Sequence, residues 1–347
     1  MIRSKPLLTL LPALCLASFA QAQNVYDDQT NKLDIYGRLE GQITKGEESF
    51  SGEDDWRGRL SGRLGFNMSR ELSAIDNSRV VGKFEWQVRT ETNDTRLDQG
   101  EDLEARYNYV GIEHDDWGML FFGRTKNPLY QVMKITDKYK NYTPGIYNYG
   151  ISSIDTSYKY NRQDATLQYN GHFGMHEVQA AYVLGNGENA RLDNGMMASY
   201  RINYKGDNFR LSPALAISQF NRNDNNTDTK RNQHNQLMAG VELNVKGWLF
   251  GVTADFVKID EDGGTEDEYF GMDSIVAYKW DRFRVLAGYS FLNQKDEDLY
   301  EKEDWRVEGQ WTLARRTYLS LTYDRELVAK NKDSNDDAIT LGLRYDF

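Results

Sequence analysis

The sequence of 347 residues contains very little cysteine and very little proline. Its only cysteine is Cys15, close to the N-terminus, and only 5 residues are proline. A chain with one thiol forms no internal disulfide and no thiolate cluster for a metal. Aromatic residues make up 13% of the chain, and disordered chains show the reverse bias. The composition therefore predicts a folded protein that is rich in β-strands.

The chain also lacks an excess of positive charge and lacks long apolar runs. It has 42 lysines and arginines against 53 aspartates and glutamates, which gives a formal net charge of −11. Because nucleic-acid binding needs a basic surface, we expect no nucleic-acid partner. Past the N-terminal segment, no run reaches the ~18 apolar residues that a membrane-spanning helix needs. A closed β-barrel stays possible, because its strands need an apolar residue only at every second position.

The N-terminus has the three zones of a secretory signal peptide. Arg3 and Lys5 give a positive start, a mostly apolar stretch follows, and Ala20-Gln21-Ala22 is a small-x-small cleavage site. We therefore predict that residues 1–22 are removed after export. Residues 23–347 then form a single mature domain, which has lost the cysteine and is two charges more negative than the precursor.

Apolar and polar residues alternate in short runs from Lys32 to the C-terminus. The last run is the clearest, with Ile339, Leu341, Leu343, Tyr345 and Phe347 separated by polar or very small residues. Period-2 alternation sends the two sets to opposite faces of a strand. Tight junctions and long charged loops alternate between the runs, as in outer-membrane barrels. We count about 16 runs and predict an all-β fold, a transmembrane antiparallel β-barrel.

A soluble β-sandwich or a lipocalin-like barrel is the alternative fold. Those folds bury their apolar residues inside and have 7 to 10 strands in most cases. About 16 strands would enclose a lumen too wide for side chains to fill. The many charged residues of the polar set could not form a dry core, so the membrane barrel is preferred.

The alternation stops between Thr125 and Asn161. This stretch is far longer than the other connections, and structureless insertions of this length are usually functional. In a barrel it can fold inward. We therefore predict that residues 125–161 enter the lumen.

Three arginines fall on the polar face of the first two runs. Arg38 lies between Gly37 and Leu39, both assigned to the outer face. Arg59 and Arg63 alternate with outward leucines in the second run. By period 2, all three arginines point into the lumen.

Two further arginines occupy later runs. Arg106 is assigned inward because Tyr107 and Tyr109 are assigned outward, and Arg162 opens a run in which Leu167 is outward. Together with the earlier three, they would line one wall and create a field that acts on passing solutes. The alternative is that each arginine simply pairs with a nearby carboxylate.

No residues suggest catalysis or a metal site. His114, His172, His176 and His234 have no paired nucleophile and are interpreted as residues of the barrel rim, with His234 in a long loop. The acidic run 260–268 lacks the third ligand before glycine that the calcium motif needs. It is interpreted as a solvated loop that bridges lipopolysaccharide through divalent cations. We expect no enzyme activity, no metal and no cofactor.

Several short motifs occur in strand order along the mature chain. They are Tyr36-Gly37-Arg38, Arg63-Leu64-Gly65-Phe66, Arg106-Tyr107-Asn108-Tyr109-Val110-Gly111, Phe122-Gly123-Arg124, Ile135-Thr136-Asp137 and Leu341-Gly342-Leu343-Arg344-Tyr345-Asp346-Phe347. In this order and spacing they resemble the general-diffusion porins of Gram-negative bacteria, especially the vibrio-type members. The resemblance runs from end to end of the mature chain and is weak over most loops.

The resemblance implies a function and a set of partners. It implies a homotrimer in the outer membrane of a Gram-negative cell, in contact with membrane lipid and lipopolysaccharide. Each barrel would be a water-filled channel for passive diffusion of small hydrophilic solutes and ions. The barrel-assembly machinery would read the C-terminal Tyr345 and Phe347. Residues 125–161 would be the third external loop, which narrows the pore.

The resemblance also assigns residues at the constriction. The basic ladder would be Arg38, Arg63, Arg106 and Arg162, to which the alternation adds Arg59. The facing loop residues would be Asp137, Lys138, Tyr139, Lys140 and Asn141. Enterobacterial members of the family carry an acidic residue where this chain has Asn141, and they lack its two loop lysines. We therefore expect no strong cation preference.

A substrate-specific channel is the alternative function. The predicted loop contains Tyr139, Tyr142, Tyr147 and Tyr149, and sugar rings stack well on aromatic faces. An oligosaccharide-type channel would show saturable flux that sugars block, whereas a passive pore would show flux linear in solute concentration.

Overall fold

Long antiparallel strands make up most of the chain in the computed structural model. The structure describes residues 23–47, 54–91, 103–141, 162–185, 194–221, 231–261, 266–295 and 300–347. The predicted signal peptide and residues 142–161 of the predicted loop lie outside the described residues.

The described residues form eighteen strand segments and one short helix. The strands are β1 (Gln23–Asp27), β2 (Asn31–Glu47), β3 (Asp54–Glu71), β4 (Ser78–Glu91), β5 (Leu103–His114), β6 (Gly118–Lys126), β7 (Arg162–Phe173), β8 (His176–Leu184), β9 (Asn194–Ile202), β10 (Tyr204–Lys205), β11 (Phe209–Asn221), β12 (Arg231–Val245), β13 (Trp248–Glu261), β14 (Glu266–Trp280), β15 (Phe283–Gln294), β16 (Tyr300–Ala314), β17 (Thr317–Ala329) and β18 (Asp337–Asp346). The helix α1 spans Tyr130–Met133.

These segments form one closed barrel of 16 antiparallel strands. Each strand pairs with the next along the chain, and β18 pairs with β2, with Thr340 opposite Thr44, which closes the sheet. β9 and β10 both pair with β11 and count as one strand interrupted at Asn203. β1 is a short addition that pairs with the first residues of β2. The predicted fold class and strand number are confirmed.

The barrel has an apolar outer face and a polar inner face. On β17 and β18, Leu321 and Leu341 are 55% and 45% exposed, whereas Thr322 and Thr340 are fully buried. Exposed leucines beside buried threonines reverse the arrangement of a soluble protein. They match a sheet whose outer face lies against lipid. Among the described residues, no helix is long and apolar enough to cross a membrane.

Tight turns join the strands at one rim, as the sequence predicts. Lys246 and Gly247 both have positive φ (46° and 87°) between β12 and β13, the geometry of a two-residue hairpin. Asp281 and Arg316 also have positive φ, in the turns before β15 and β17. Such turns set the register of each hairpin, and with it which residues face the lumen.

The outward assignment of Tyr107 and Tyr109 is wrong. A β-bulge lies between β4 and β5, where Glu85 is opposite Tyr107 while the next residue, Trp86, is opposite Ala105. The extra residue, Arg106, breaks the period-2 alternation, so that Arg106 and Tyr107 face the same side. The ring of Tyr109 packs against the buried Phe121, with centroids 4.8 Å apart. Both tyrosines therefore line the lumen, while Arg106 keeps its predicted direction.

The assignment of His234 to a long loop is also wrong. His234 lies in β12, is fully buried and packs against Phe220 with ring centroids 6.3 Å apart. Met238 and Leu286 lie on inner positions that the alternation gave to the polar set, yet both are fully buried. These residues show that part of the inner face is covered, and the covering segment follows β6.

Candidate functional site

The chain leaves the sheet after Lys126 and crosses the inner face of the barrel. We call residues 127–141 the docked segment. Through side-chain and backbone hydrogen bonds it contacts β8, β9, β12, β16, β17 and β18. We call the inner face of β12–β18 the covered wall, and the inner face of β2–β7 the basic wall. The two walls differ in charge and in what they contact.

Arg38 and Arg63 start the basic wall and lie directly opposite each other on β2 and β3. The Nε of Arg38 donates to the Asp346 carboxylate at 2.6 Å. The Nε of Arg63 donates to the neutral Gln87 side chain at 2.9 Å. The wall thus contains one arginine with a carboxylate partner next to one with an amide partner.

Arg106 is held by two neighbours on β4. Its Nε donates to Glu85 at 2.7 Å and its Nη1 donates to Gln87 at 2.7 Å. Glu85 also accepts a hydrogen bond from the Tyr36 hydroxyl at 2.9 Å. The alternative in which wall arginines pair with carboxylates therefore holds for Arg38 and Arg106. The pairing fixes both guanidinium groups in place and partly neutralises them.

Arg162 and Arg59 complete the predicted ladder. The Arg162 guanidinium lies 5.0 Å from the ring centroid of the inward Tyr107, and the residue is only 7% exposed. Arg59 is half-buried and close enough to Glu40 to act on it electrostatically. All five predicted arginines therefore lie on the inner face of β2, β3, β5 and β7.

Asp137 lies where the docked segment meets the basic wall. It accepts a hydrogen bond from the Tyr130 hydroxyl at 2.8 Å. The Lys126 ammonium lies 3.1 Å from the centroid of the same tyrosine ring. Lys126 is in turn within electrostatic range of Asp137, Arg106 and Arg162. The loop carboxylate therefore lies close enough to the basic wall to interact with its cations.

The next residues of the docked segment bind acidic groups on the covered wall. Lys138 donates to Glu242 at 2.8 Å, and Glu242 is also paired with Arg210 at 3.0 Å. The backbone N–H groups of Lys140 and Asn141 donate to the two carboxylate oxygens of Glu308, at 2.8 and 3.2 Å. A carboxylate that accepts backbone N–H groups forms strong charge-assisted hydrogen bonds. Glu308 therefore fixes the course of the segment.

Asn141 is inserted between the last two strands. Its amide donates to the Thr322 hydroxyl at 2.8 Å and to the Thr340 carbonyl at 3.0 Å. Its carbonyl oxygen accepts from the Ser320 hydroxyl at 2.7 Å. Asn141 is 4% exposed and nearly saturated with hydrogen bonds. A carboxylate could not donate to these groups, so this position acts as a structural anchor on the covered wall.

Glycines on the covered wall make room for the docked segment. A Cβ on Gly251 would lie 3.0 Å from Ile135, and one on Gly240 would lie 2.8 Å from it. A Cβ on Gly288 would overlap the Tyr139 hydroxyl. The row of missing side chains therefore matches the path of the segment.

Apolar contacts anchor the start of the segment. Leu129, Val132 and Met133 are at most 2% exposed and belong to one apolar cluster inside the barrel. The wall side of that cluster comes from β8 to β15 and includes Val183 and Met238. Burying such side chains contributes about 1.5–3 kcal/mol each, so the cluster strongly favours the docked position.

Burial changes the titration of the segment's side chains. It lowers the pKa of Lys134, although the nearby Glu177 opposes the shift. It lowers the pKa of Lys140 as well, and it raises the pKa of the Tyr139 phenol. In each case the partly buried location disfavours the charged form.

Alternation found the arginines but missed several residues that organise the lumen. Glu242 and Glu308 occupy inner positions and could have been assigned inward by the same rule. The same rule could also have assigned Lys83 and Lys126 to the inner face. The role of the glycines cannot be read from the alternation. A glycine in a strand fits either face, and its purpose becomes clear only when the segment that packs against it is known.

The sequence and the barrel were compared with known proteins, and both are similar to one family. The family model described as Gram-negative porin matches residues 8–347. The outer membrane porin N of Escherichia coli (strain K12) is 24% identical over 392 residues, with all of both chains covered. The OmpF of Salmonella typhi, in complex with daunomycin, superposes with a TM-score of 0.77 at 14% identity, covering 94% of this chain and 100% of that one. The trimer form of OmpT from Vibrio cholerae gives a TM-score of 0.67 at 15% identity, covering 92% and 100%.

The family match extends over almost the whole chain, and the barrel closes with the strand number that the sequence predicts. The homologues are named as outer membrane porins, which are channels. The chain therefore belongs to the Gram-negative porin family and is an outer-membrane porin, a water-filled channel for passive diffusion of small hydrophilic solutes and ions.

Proposed function

We propose that the narrowest part of the pore lies between the basic wall and the docked segment, and that residues 125–161 form the constriction loop. The observation that carries this proposal is the position of Asp137. It lies within electrostatic range of Lys126, while Lys138 and Asn141 are bonded to the opposite wall. A solute would pass between fixed cations on one side and the bound segment on the other.

The charges at this level favour weak selectivity. Arg38, Arg59, Arg63, Arg106 and Arg162 form the basic ladder. Asp137 is the acidic group of the facing segment, whereas Asn141 is neutral and Lys138 is ion-paired with Glu242. The many acidic residues of the chain therefore do not make the pore strongly cation-selective, because a field acts mainly where the path is narrow.

The sugar-track alternative is less well supported. The Tyr139 ring packs against the Arg306 guanidinium, 4.9 Å from its centroid, and against the apolar cluster that contains Leu286. One face of the ring is therefore occupied by the wall. Tyr142, Tyr147 and Tyr149 lie outside the described residues.

The assembly and location of the channel follow the family. The superposed Vibrio cholerae protein has a trimer form, which supports a homotrimer for this chain. Residues 1–22 would be cleaved on export, and Tyr345 and Phe347 would engage the barrel-assembly machinery. Rim carboxylates such as Glu266 would meet lipopolysaccharide. The barrel would act as a channel and not as an enzyme.

Planar-bilayer recording tests this proposal. The purified protein should form ohmic channels whose current is unaffected by oligosaccharides. Replacing Arg63 and Arg106 together by glutamine should shift the reversal potential in a salt gradient toward cations, because two fixed positive charges leave the constriction.

Lys258→Gln is the matched control, because it removes a rim lysine that pairs with Glu266 at 2.7 Å. It should leave the reversal potential unchanged. Insertion without conductance would overturn the channel itself, and an unchanged reversal potential in the double variant would overturn the placement of the constriction.

A further inference from the structure

The rim of tight turns carries a cluster of cations on one side of the barrel. Three successive hairpin turns, which join β12 to β13, β14 to β15 and β16 to β17, contain four basic residues beside the acidic Asp281. The basic residues are Lys246, Arg282, Arg315 and Arg316. We call residues 246–247, 281–282 and 315–316 the basic turns. Because short turns lie at the periplasmic end of outer-membrane barrels, the basic turns face the periplasmic leaflet of the membrane.

The cations of the basic turns are open to their surroundings. Lys246, Arg282 and Arg315 are exposed, and Arg316 is half-buried. Within the part of the chain that the structure describes, none of the four side chains forms an ion pair. Their charge is therefore available to a group outside the protein.

The other side of the same rim has the opposite charge. The connections that precede β4 and β6 contain Asp76, Asp115 and Asp116, and their other residues are uncharged. Arg79, at the start of β4, is ion-paired with Asp115 at 3.3 Å. An anion at the membrane surface is therefore attracted to one side of the barrel and repelled by the other.

Hydrogen bonds hold the basic turns in one continuous rim. The carbonyl of Gly247 accepts from the N–H of Lys279 at 3.0 Å, and the carbonyl of Arg282 accepts from the N–H of Thr312 at 2.8 Å. The Arg316 carbonyl accepts in the same way from a backbone N–H of β18 at 2.9 Å. Neighbouring basic turns are two strands apart, a separation of about 10 Å. Each turn can therefore meet its own anionic group, and no single anion has to reach all four cations.

Aromatic rings on the outer face border the basic turns. Five rings are in contact in series, with centroid distances from 4.6 to 5.9 Å, and each is between 37% and 44% exposed. They are Trp248, Tyr278, Trp280, Phe283 and Trp311, which we call the aromatic row. Trp248 directly follows Gly247, while Trp280 and Phe283 flank residues 281–282. Outward rings of this kind lie at the level of the lipid headgroups, so the turn cations lie near the depth of the lipid phosphates.

From this arrangement we propose that the basic turns and the aromatic row form a binding surface for anionic phospholipids. The lipid phosphates pair with the turn cations, and the acyl chains cover the rings. A soluble anion would meet the cations alone and leave the rings uncovered. A zwitterionic phospholipid brings its own cation to the phosphate, so it gains less from the turns. The inference depends on the membrane location of the barrel and is independent of the proposed constriction.

Fluorescence quenching by brominated lipids tests this surface in the full-length protein. The channel is reconstituted in phosphatidylcholine vesicles that contain a minor fraction of phosphatidylglycerol, and bromine is placed on the acyl chains of one lipid or the other. Bromine quenches tryptophan on contact, and Trp248, Trp280 and Trp311 lie in the aromatic row. At equal bromine content, brominated phosphatidylglycerol should quench more strongly than brominated phosphatidylcholine.

Removing cations from two of the basic turns should weaken this preference. Arg282→Gln with Arg315→Gln should lower the association constant of phosphatidylglycerol, relative to phosphatidylcholine, about fivefold, which corresponds to about 1 kcal/mol. Asp281→Asn should strengthen the preference, because it removes the carboxylate of the basic turns. Asparagine tolerates the positive φ of 46° at this position. A variant that binds the lipid more strongly cannot be explained by misfolding.

Arg70→Gln with Lys258→Gln is the matched control. Arg70 is an exposed cation near the end of β3, on the acidic side of the same rim. Lys258 lies at the opposite rim, where it pairs with Glu266 at 2.7 Å. The control removes two charges from the protein but none from the basic turns, so it should keep the lipid preference of the parent. Unchanged potassium chloride conductance in each variant shows that it has folded and inserted.

Several results would overturn the lipid surface. Equal quenching by the two brominated lipids would do so, and so would an equal preference in the parent and in the variant without Arg282 and Arg315. A loss of preference in the control as large as in that variant would show an effect of net charge without a defined surface. Displacement of the brominated lipid by soluble glycerol phosphate would assign the cations to a soluble anion. Each of these results leaves the proposed constriction intact, because conductance is measured separately.

Discussion

The two walls of the lumen share the same period-2 alternation, but they differ in the side chains that occupy their inner positions and in what packs against them. Inner positions of the basic wall carry long cationic side chains, such as Arg63 and Lys83, which stay half-open to the lumen. Inner positions of the covered wall carry glycines, short hydroxyl residues and apolar side chains, such as Gly288, Thr322 and Met238. The docked segment lies against the second wall, and it meets the first wall near Lys126, where Tyr130 and Asp137 lie.

The difference shows what is needed to hold a segment inside a barrel. The segment has backbone donors that must be satisfied, and Glu308 satisfies two of them. It has bulk that must be accommodated, which is the role of the glycines. It also has apolar side chains to bury. The basic wall carries long charged side chains such as Arg38, Arg63 and Arg106 in place of this combination, and we propose that it forms the pore surface.

Filling the glycine row should produce the largest effect. In a variant with Gly288→Ala and Gly342→Ala, the new methyl groups would overlap Tyr139 and Asn141. Overpacking of this kind costs about 1–3 kcal/mol per site, so the segment should leave the wall. We expect a larger and noisier single-channel conductance.

The control for this variant is Gly309→Ala, because a Cβ at Gly309 meets nothing within 4 Å. Its conductance should match that of the parent. If the double variant also kept the parent conductance, the segment would not depend on the shape of the covered wall.

Removing the anchor carboxylate should have an intermediate effect. Glu308→Ala leaves the backbone N–H groups of Lys140 and Asn141 without their acceptor, and each unsatisfied buried group costs about 1–3 kcal/mol. The apolar cluster still holds the start of the segment. We therefore expect brief excursions between two conductance levels in single-channel records.

Glu303→Ala on the same strand is the comparison, since Glu303 accepts from Tyr289 and is not bonded to the segment. If both variants gave the same record, the effect would come from lost charge on β16 and not from release of the segment.

The smallest expected effect is a pH dependence of the docked state. Burial lowers the pKa of Lys134 and Lys140, so the released segment binds more protons than the docked one. The resulting penalty on docking is full at neutral pH and declines as the pH rises toward the ordinary lysine value of about 10.4. Conductance fluctuations should therefore become rarer from about pH 8 to about pH 10.

Tyr139 limits that window, because its raised pKa makes docking less favourable above the ordinary tyrosine value of about 10. Replacing Lys134 and Lys140 by glutamine should remove most of this decline in the frequency of conductance fluctuations. Fluctuations that grew more frequent between about pH 8 and about pH 10 would contradict the burial of these lysines. Each of these two pH values is given to within about one unit.

Alternation predicted the inner arginines successfully wherever the strand pairing was regular. Arg38 and Arg63 face the lumen as period 2 requires. The rule gave the correct direction for Arg106 but the wrong one for Tyr107 and Tyr109, because a β-bulge adds one residue at that point. A β-bulge is a property of the pairing between two strands, so it cannot be predicted from the alternation of one strand alone.

The position of the docked segment shows a second limit. The loss of alternation after Thr125 marked the segment, and the resemblance marked Asp137. Neither showed that Lys138, Lys140 and Asn141 bind the wall opposite the arginines. Their partners, such as Glu242 and Glu308, lie more than a hundred residues away along the chain.

The sequence by itself determined the barrel, its approximate strand number and the faces of most side chains, because a lipid-facing strand must alternate and local alternation is readable. Tertiary structure alone decided which wall is covered. That choice depends on glycines, acceptors and apolar residues from many strands being brought under one segment. Such groupings exist only after the barrel closes, since closure sets the register that makes distant residues neighbours.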